Sequence, residues 1–430
     1  MTQHRRVTRI AGLLALPVTA ALVLAGCSGS GSGDAAQEDT NSFSLTYATS
    51  NNIESPFEVL AKEYEKANPD VKITLNPQPN DTYGDTLRTQ LQAGNASDVI
   101  ETEAGSGQTR SVIPLAKANF LEPLDDTAKN MIPAGSEGLV TVDGKVYGQP
   151  LGISYAGIVY NQTAAEAAGI TSFAKDEKTL LQQCQTASSA GKTLFVLAGS
   201  TVPNAGITAS IVAATRVYAE TPDWNQQRLD GKVTFADSQG WKDTLDTVKK
   251  LYDSGCFQAG AEGAGFDAIT NGMSSGSTVS FFGPLGSASE LQKAAPDQKF
   301  VAEAFPPATS SDKAFGVASP TYSLGINAAS SNKVAAKKFL DWIAEPDQAG
   351  LFAEASGGLP ISGLSTLDLS TTIYADVADQ LNKGDFTPLA NSNWPNASVY
   401  DSLATGVQGL LTGQSDVDTV LKSLDTAWDQ

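Results

Sequence analysis

The 430-residue chain contains one histidine, His4, and three cysteines. His4 lies in an N-terminal stretch that has the features of a secretory signal, so the part that follows it has no imidazole. Serine–histidine and cysteine–histidine nucleophile pairs and histidine-ligated metal sites are therefore excluded from that part. We expect a protein that carries no metal or other cofactor, and chemistry that depends on an imidazole is excluded.

Basic residues are also few, with 28 Lys and Arg against 47 Asp and Glu, for a net charge of −19. Removal of residues 1–26, which hold three arginines and no acid, would move the charge to −22. Nucleic acid and anionic lipid are poor partners for such a surface. Charged residues make up only 17% of the chain. The many hydroxyl and amide side chains suit a neutral polar ligand, although a low-charge secreted surface accounts for them equally well.

Phosphate-binding loops are missing as well. Residues 191–193 look like the end of a Walker loop, but Thr186 stands where that pattern needs glycine. The glycines of residues 260–265 have no preceding strand and are typical of a loop. The sequence therefore supports no nucleotide site.

The N-terminal stretch has three arginines within residues 5–9, followed by an uncharged apolar run from Ile10 to Ala25. Sixteen residues are too few to cross a ~30 Å hydrocarbon layer comfortably. The tetrad of residues 24–27, LAGC, resembles the bacterial lipobox, in which the cysteine is acylated and becomes the new N-terminus. We expect residues 1–26 to be a cleaved signal peptide, Cys27 to be lipidated and residues 27–41 to be a flexible linker. The alternative is a plain cleaved signal with an incidental cysteine.

Cys184 and Cys256 are the two cysteines that remain. In an exported chain, an even pair usually forms a disulfide, and two buried free thiols are the alternative. Neither cysteine is part of a CxxC motif, which argues against redox catalysis.

The length after the signal, about 400 residues, exceeds the size at which a single core stops growing, so two lobes are expected. Phe43, Leu45 and Tyr47 alternate as in a strand, a helix begins with a capping box at Ser55, and residues 71–75 alternate again. This pattern predicts a βαβ unit. Similar strand patterns occur at residues 194–198, 279–282 and 322–326. The predicted fold class is α/β with two lobes.

Several stretches together resemble family 1 of the extracellular solute-binding proteins of ABC importers, in the branch that includes maltose-binding protein. They include YEKANPDVKITL and LQAGNASDVIE within residues 41–124, DGKVYGQPLGISYAGIVYN at residues 143–161 and YSLGINAASSNKVAAKKFLDWIAEPDQ at residues 322–348. SGGLPIS at residues 356–362 and the C-terminal LLTGQSDVDTVLKSLDTA complete the set. The similarity is collective, and no single motif is diagnostic.

The resemblance implies a two-lobe periplasmic-binding-protein fold of type II with interlobe hinge strands. Lobe 1 would comprise residues 42–150 and 320–365, and lobe 2 residues 151–319 and 366–430. Hinges are expected near residues 149–152 and 316–320, with a third crossing after Ser362. Such a protein would be a monomer, held at the extracellular face of the cytoplasmic membrane by its lipid anchor only. It would not be an enzyme, and it would deliver a carbohydrate, a mono- or oligosaccharide, to ABC permease subunits.

Sugar sites combine fixed polar groups with aromatic rings. Matching positions in the first lobe are Asn51, Asn52, Tyr83, Asp85, Glu103 and Ser106. Those in the second lobe are Tyr155, Asn204, Phe282, Gly283, Trp394 and Tyr400. Leu285 follows the Gly-Pro pair where related maltodextrin binders have an aromatic residue, which weakens a long-maltodextrin assignment and leaves Phe281 or Phe282 as a substitute.

Two other functions remain open. Strong acidity favours a receptor for a polyamine or ferric ion, although no adjacent tyrosine pair occurs. A surface-anchored glycoside hydrolase needs two carboxylates and no histidine, and Glu101 and Glu103 could share one strand face.

Overall fold

The computed structural model describes residues 41–49, 55–133, 136–320, 322–361 and 367–430. The leader, Cys27, Asn51 and Asn52 lie outside these ranges, so the expectations for them stay predictions. Within the described ranges, no helix has both the length and the apolar character needed to cross a bilayer.

The strands and helices alternate along much of the chain. The strands are β1 (Ser42–Thr49), β2 (Lys72–Pro79), β3 (Val99–Glu103), β4 (Thr141–Val142), β5 (Lys145–Val146), β6 (Gln149–Pro150), β7 (Gly152–Asn161), β8 (Thr193–Val196), β9 (Thr278–Pro284), β10 (Phe300–Glu303), β11 (Gly316–Pro320), β12 (Tyr322–Ile326), β13 (Leu359–Pro360) and β14 (Phe386–Thr387). The helices are α1 (Pro56–Ala67), α2 (Asn80–Ala93), α3 (Val112–Lys117), α4 (Asp126–Asn130), α5 (Gln162–Ala167), α6 (Glu177–Ser189), α7 (Val202–Ala213), α8 (Trp224–Leu229), α9 (Gln239–Asp253), α10 (Phe266–Ser275), α11 (Ser287–Ala294), α12 (Lys333–Ile343), α13 (Pro346–Ser356), α14 (Ala378–Lys383), α15 (Ala397–Thr412) and α16 (Val417–Trp428).

The first lobe is built on a five-stranded sheet in the order β2-β1-β3-β12-β6. β1 runs parallel to β2 and β3, and β12 runs antiparallel to β3 and β6. α1 connects β1 to β2, and Ser55 caps it by accepting a hydrogen bond from the Phe57 N–H at 3.3 Å. The predicted βαβ unit is therefore present, with Phe57, Leu60 and Tyr64 on the buried face of its helix.

The second lobe is built on a sheet in the order β14-β11-β7-β9-β8. β7 is its central strand and also pairs with β10 and β13. Nine of the ten β7 residues are buried, which is why its sequence, GISYAGIVYN, is almost continuously apolar. Helices α7, α9, α15 and α16 pack together beside this sheet.

The chain passes between the two sheets at three places. It leaves the first sheet at Pro150 and enters the second at Gly152, within the predicted first hinge. It returns between Pro320 and Tyr322, at the end of the predicted second hinge. The third passage precedes Leu359, because Leu359 already pairs with β7. That passage comes earlier than the crossing expected after Ser362, and the lobe boundaries themselves stay predictions.

A disulfide joins Cys184 in α6 to Cys256, which follows α9. Both residues are buried, and the Cys256 carbonyl accepts a hydrogen bond from the Phe195 N–H of β8 at 2.9 Å. The bond therefore fastens a surface helix to the edge of the second sheet across 72 residues of sequence.

We predict that replacing Cys184 and Cys256 together by alanine lowers the free energy of unfolding by about 4 kcal/mol, because the unfolded chain loses a constraint on a long loop. Urea unfolding of the oxidised protein and of the variant measures the difference. Reductant should lower the stability of the wild type and leave that of the variant unchanged. Equal midpoints for the two proteins would contradict the prediction.

Candidate functional site

The loop that follows β3 meets a turn of the second lobe. In open α/β sheets, ligands bind outside the carboxyl ends of the strands, and this loop begins at such an end. The Ser106 N–H donates to the Ser392 carbonyl at 2.8 Å, and the Ser106 hydroxyl donates to the Trp394 carbonyl at 2.6 Å. The two lobes are therefore in direct contact at this point.

Two glycines allow this close approach. Gly105 has φ +100°, and a Cβ on it would lie 2.0 Å from the Ser392 carbonyl oxygen. A Cβ on Gly107 would lie 2.1 Å from the Asn391 carbonyl oxygen. Any side chain at either position would overlap the opposite backbone. We refer to the contact between residues 105–107 and residues 391–394 as the interlobe latch.

A small cavity of about 30 Å³ lies beside the interlobe latch. This is room for one or two water-sized groups. Residues of both lobes surround it: Glu103, Ala104, Gly107, Gln108, Ser111, Ser319, Pro320, Leu389, Asn391 and Ser392. Six of the ten lining residues have polar side chains, which can hydrogen-bond to a ligand group.

Arg110 holds the carboxylate of Glu103 at the edge of this cavity. Its Nε lies 3.2 Å from Glu103 Oε1, and its Nη2 donates to the same oxygen. Its Nη1 lies 4.0 Å from Glu101 Oε1, and its guanidinium carbon lies 5.5 Å from the centre of the Tyr83 ring. Glu103 Oε2, in contrast, accepts no hydrogen bond from the described residues. Within the described part of the chain, this second oxygen is therefore available to a ligand.

The neighbouring carboxyl of Glu101 is almost completely buried, with 3% of its side chain exposed. Burial raises its pKa to about 7, although the positive charge of Arg110 and the Ala48 N–H act in the opposite direction. Below pH 7, a protonated Glu101 leaves Arg110 as the counter-charge of Glu103.

Four of the predicted site residues come together around the interlobe latch: Glu103, Ser106, Trp394 and Tyr400. The Tyr400 ring packs against Gly206, and its hydroxyl donates to the Pro203 carbonyl at 3.0 Å. Burial raises the pKa of Tyr400 well above its ordinary value, and the negative charge of Glu103 adds to this effect. The Tyr400 ring lies 6.4 Å from the Trp394 ring, measured between their centres.

The Trp394 ring lies inside the second lobe. It is fully buried among Phe235, Trp241 and Trp428, and its Nε1 donates to Asn225 Oδ1 at 3.3 Å. In this arrangement of the lobes, the ring has no open face for a sugar. Only its carbonyl takes part in the interlobe latch.

Tyr83 and Asp85 occupy different environments on α2. Tyr83 is fully buried, and its hydroxyl donates to the Glu101 carbonyl at 2.8 Å. Its ring therefore packs beside the guanidinium of Arg110. Asp85 is exposed to solvent.

The other second-lobe candidates lie within the core. The Tyr155 hydroxyl donates to Gln380 Oε1 at 2.6 Å, and the Phe282 ring is tilted against the Phe195 ring, with their centres 4.8 Å apart. Asn204 donates from Nδ2 to the Phe282 carbonyl at 3.0 Å and accepts from the Ala198 N–H. Gly283 and Leu285 lie beside them: a Cβ on Gly283 would lie 2.5 Å from the Phe281 ring, and Leu285 is fully buried. None of these side chains lines the interlobe cavity.

Sequence reasoning missed Arg110, Gln108 and Ser111, which belong to the same loop as Glu103, and Ser319 and Asn391. The loop sequence, EAGSGQTRS, does place an arginine seven residues after the candidate carboxylate. Nothing in the sequence shows that the chain folds back so that the two side chains meet.

A family model described as bacterial extracellular solute-binding protein matches residues 47–350. A putative binding protein of Brucella abortus (strain 2308) is 24% identical over 383 residues, covering 85% of this chain and 87% of that protein. A solved chitin oligosaccharide binding protein superposes with a TM-score of 0.73 at 19% identity, covering 90% of this chain and 98% of the other. A solute-binding protein in complex with raffinose superposes with a TM-score of 0.72 at 20% identity, covering 91% and 99%. The predicted two-lobe α/β fold is confirmed.

We predict that Gly107→Ala opens the lobes, because the added Cβ overlaps the Asn391 carbonyl oxygen. Small-angle X-ray scattering should give a larger radius of gyration for this variant than for the wild type. Gly138→Ala is the matched control, since a Cβ on Gly138 meets no atom within 4 Å. An unchanged radius for Gly107→Ala would show that the interlobe latch does not hold the lobes together.

We predict that Glu101→Gln changes the pH dependence of stability. The folded pKa of Glu101, about 7, is above the ordinary 4.5, so the folded state binds more protons between these values. The contribution of Glu101 to the free energy of unfolding therefore falls as pH rises from 4.5 to 7, by up to about 3 kcal/mol. Glutamine removes this titration and still accepts from the Ala48 N–H.

Urea unfolding between pH 4.5 and 8 should accordingly show a flatter profile for Glu101→Gln than for the wild type. The exposed Glu137→Gln serves as the control and should run parallel to the wild type. A Glu101→Gln profile that is also parallel would mean that this carboxyl titrates normally.

Proposed function

Because the chain belongs to the bacterial extracellular solute-binding protein family, we propose that it captures a mono- or oligosaccharide in its interlobe cleft and delivers it to an ABC permease. Two solved proteins with the same fold support the choice of ligand class, since one is a chitin oligosaccharide binding protein and the other holds raffinose. The protein does no chemistry on the ligand, and closure of the lobes is the signal of the loaded state.

The observation that carries this proposal is the state of the Glu103 carboxylate. Arg110 occupies one of its oxygens and compensates its charge, while the other oxygen accepts no hydrogen bond within the described structure. A compensated carboxylate with one free acceptor suits a neutral donor such as a sugar hydroxyl. Charge-assisted hydrogen bonds of this kind are stronger than those between neutral groups.

The alternative ligands fit this site less well. A polyamine would meet the fixed positive charge of Arg110 close to the only cleft carboxylate described above. For ferric ion, the described residues contain no cluster of three or more His, Cys, Asp or Glu side chains suited to a metal. We therefore favour a neutral sugar over a cation.

Glycoside hydrolysis is also disfavoured by geometry. It needs two carboxyl groups that flank a bond of the substrate. Glu101 is buried, and its Oε2 accepts from the Ala48 N–H at 2.5 Å, so it does not border an open cleft.

We further propose that Cys27 carries the lipid that holds the protein at the extracellular face of the cytoplasmic membrane. A flexible tether of about fourteen residues spans ~20 Å on average, which would keep the folded part of a monomer beside its permease.

We predict that one sugar of a panel containing raffinose, stachyose, maltose and chitobiose raises the unfolding midpoint of the wild type. A ligand at 100 times its dissociation constant adds ~2.7 kcal/mol of stability. Glu103→Gln should weaken binding of that sugar about tenfold or more, because it loses a charge-assisted hydrogen bond. The exposed Asp85→Asn should bind the sugar as the wild type does.

Thermal unfolding with spermidine and ferric citrate provides the opposing test. A shift with either cation, and with no sugar, would overturn the carbohydrate proposal and leave the fold assignment intact. Chromatography of the recovered sugar decides the remaining point, since a cleaved product would identify an enzyme.

A further inference from the structure

The side chain of Asn225, on α8, hydrogen-bonds to the turn of the second lobe that forms the interlobe latch. Its Nδ2 donates to the Ala390 carbonyl at 2.9 Å. Its Oδ1 accepts from the Tyr218 hydroxyl at 2.7 Å and from Trp394 Nε1 at 3.3 Å. Ala390 begins a short 3₁₀ turn and Trp394 directly follows it. One amide therefore holds both ends of this turn, which we call the latch turn (residues 390–394).

The partners of this amide determine its orientation. An indole N–H can only donate a hydrogen bond, and a peptide carbonyl can only accept one. The Asn225 oxygen must therefore face Trp394, and the nitrogen must face Ala390. An ionised aspartate at this position would supply acceptors but no donor, and a leucine would supply neither. The position therefore requires an amide.

The Tyr218 hydroxyl has a fixed place behind Asn225. Tyr218 ends a π-helical turn, Ala214–Tyr218, that directly follows α7, and its side chain is 1% exposed. Within this turn, the Ala219 N–H donates to the Ala214 carbonyl at 2.8 Å. Such turns are rare and frequently occur at functional sites. Here the turn ends in the phenol that donates to the Asn225 oxygen.

The latch turn also meets the first lobe. The Ser392 and Trp394 carbonyls accept the two hydrogen bonds that Ser106 donates, and the Asn391 carbonyl oxygen faces Gly107. Hydrogen bonds weaken steeply when their geometry is disturbed. A rotation of the latch turn would therefore misalign the acceptors of the interlobe latch.

Other side chains of the second lobe give the latch turn little support. The Leu389 N–H, just before it, reaches the Ser319 hydroxyl only at 3.5 Å. Within the turn, the Ser392 N–H donates to the Leu389 carbonyl at 2.8 Å. Among the described residues of the second lobe, Asn225 provides the side-chain hydrogen bond to the backbone of residues 390–393. Its donor therefore has no substitute in this part of the structure.

We propose that Asn225 is a positioning residue for lobe closure, which aligns the carbonyl acceptors of the interlobe latch by holding the latch turn in one orientation. Asn225 does not line the interlobe cavity, so it acts through the turn alone. Loss of its donor shifts the population towards the open form, because only the closed form contains the latch. The consequence for sugar retention rests on the proposed carbohydrate function, whereas the consequence for the closed form does not.

The test replaces the amide by an acid of nearly the same shape. At pH 8, Asn225→Asp retains acceptors for Tyr218 and Trp394 but has no donor for the Ala390 carbonyl. Small-angle X-ray scattering without ligand should give a larger radius of gyration for this variant than for the wild type. Gln226→Glu is the matched control, because it makes the same change of charge at an exposed position of the same helix. Its radius should equal that of the wild type.

The pH dependence of the radius separates positioning from a general structural role. At pH 4, a protonated carboxyl can again donate to the Ala390 carbonyl, so the radius of Asn225→Asp should return to that of the wild type at the same pH. Asp223 and Arg228, the charged side chains closest to it in sequence, hydrogen-bond to other residues. Acid would not repair a lobe that the substitution had simply destabilised.

Sugar release provides a second readout. Stopped-flow tryptophan fluorescence measures association and dissociation of whichever of raffinose, stachyose, maltose and chitobiose stabilises the wild type most. At pH 8, Asn225→Asp should release this sugar about fivefold faster, which corresponds to one lost hydrogen bond in the closed form. Its association rate should stay within about twofold of the wild type, because the open form is unchanged.

Tyr218→Phe serves as a second variant, should Asn225→Asp not fold. It removes only the hydroxyl that donates to the Asn225 oxygen. The radius and the dissociation rate should both rise, and by less than in Asn225→Asp, because the donor to Ala390 remains.

Two results would contradict the inference. A wild-type radius and dissociation rate in both variants, even with a lowered unfolding midpoint, would show that Asn225 serves only the fold of the second lobe. A radius of Asn225→Asp that stays enlarged at pH 4 would show that the donor to Ala390 does not position the latch turn. A wild type that binds none of the four sugars would overturn the proposed function instead, and the scattering result would still decide this inference.

Discussion

The guanidinium of Arg110, which is largely withdrawn from solvent, is the constraint on which the site depends. A charge with only 13% of its side chain exposed is tolerated when it is paired, and Glu101 and Glu103 provide that pairing. The Arg110 carbonyl also accepts from the Glu103 N–H at 3.2 Å, so the loop between them is closed at its base by backbone as well as side chain. Residues 105–107 are held at the tip of this closed loop, where they meet the second lobe.

The interlobe latch contributes to the free energy of the closed state independently of the ligand's own contacts. A ligand shifts an equilibrium only by the difference in its affinity for the two states. The hydrogen bonds that Ser106 donates to the second lobe, one from its N–H and one from its hydroxyl, exist only when the lobes are in contact, so they lower the free energy of the closed state. A smaller difference in the ligand's affinity for the two states is then enough to favour closure. Gly105 and Gly107 are required for this contact, because any larger residue at either position removes it.

The sequence predicts local structure well where one face of an element is buried. The alternation around Leu45 and the cap at Ser55 are local signals, and β1 and α1 occur where they indicate. Aromatic residues are harder to assign, because Tyr and Trp are typical both of a protein core and of a sugar-binding cleft. The structure places the rings of Tyr83, Tyr155 and Trp394 in the interior. The contacts of Arg110 and Asn391 are tertiary contacts, and the periodic patterns of a single sequence do not predict them.

Trp394 shows why a core position still matters to the cleft. Its ring packs in the aromatic cluster with Trp241 and Trp428, so its backbone cannot move without disturbing the interior of the second lobe. Its carbonyl accepts from Ser106 of the first lobe at 2.6 Å. The closing contact is thus anchored to the most tightly packed part of one lobe and to a buried ion pair in the other. Because both sides of the latch are anchored in packed interiors, we expect closure to be a movement of whole lobes and not a deformation of either side of the latch.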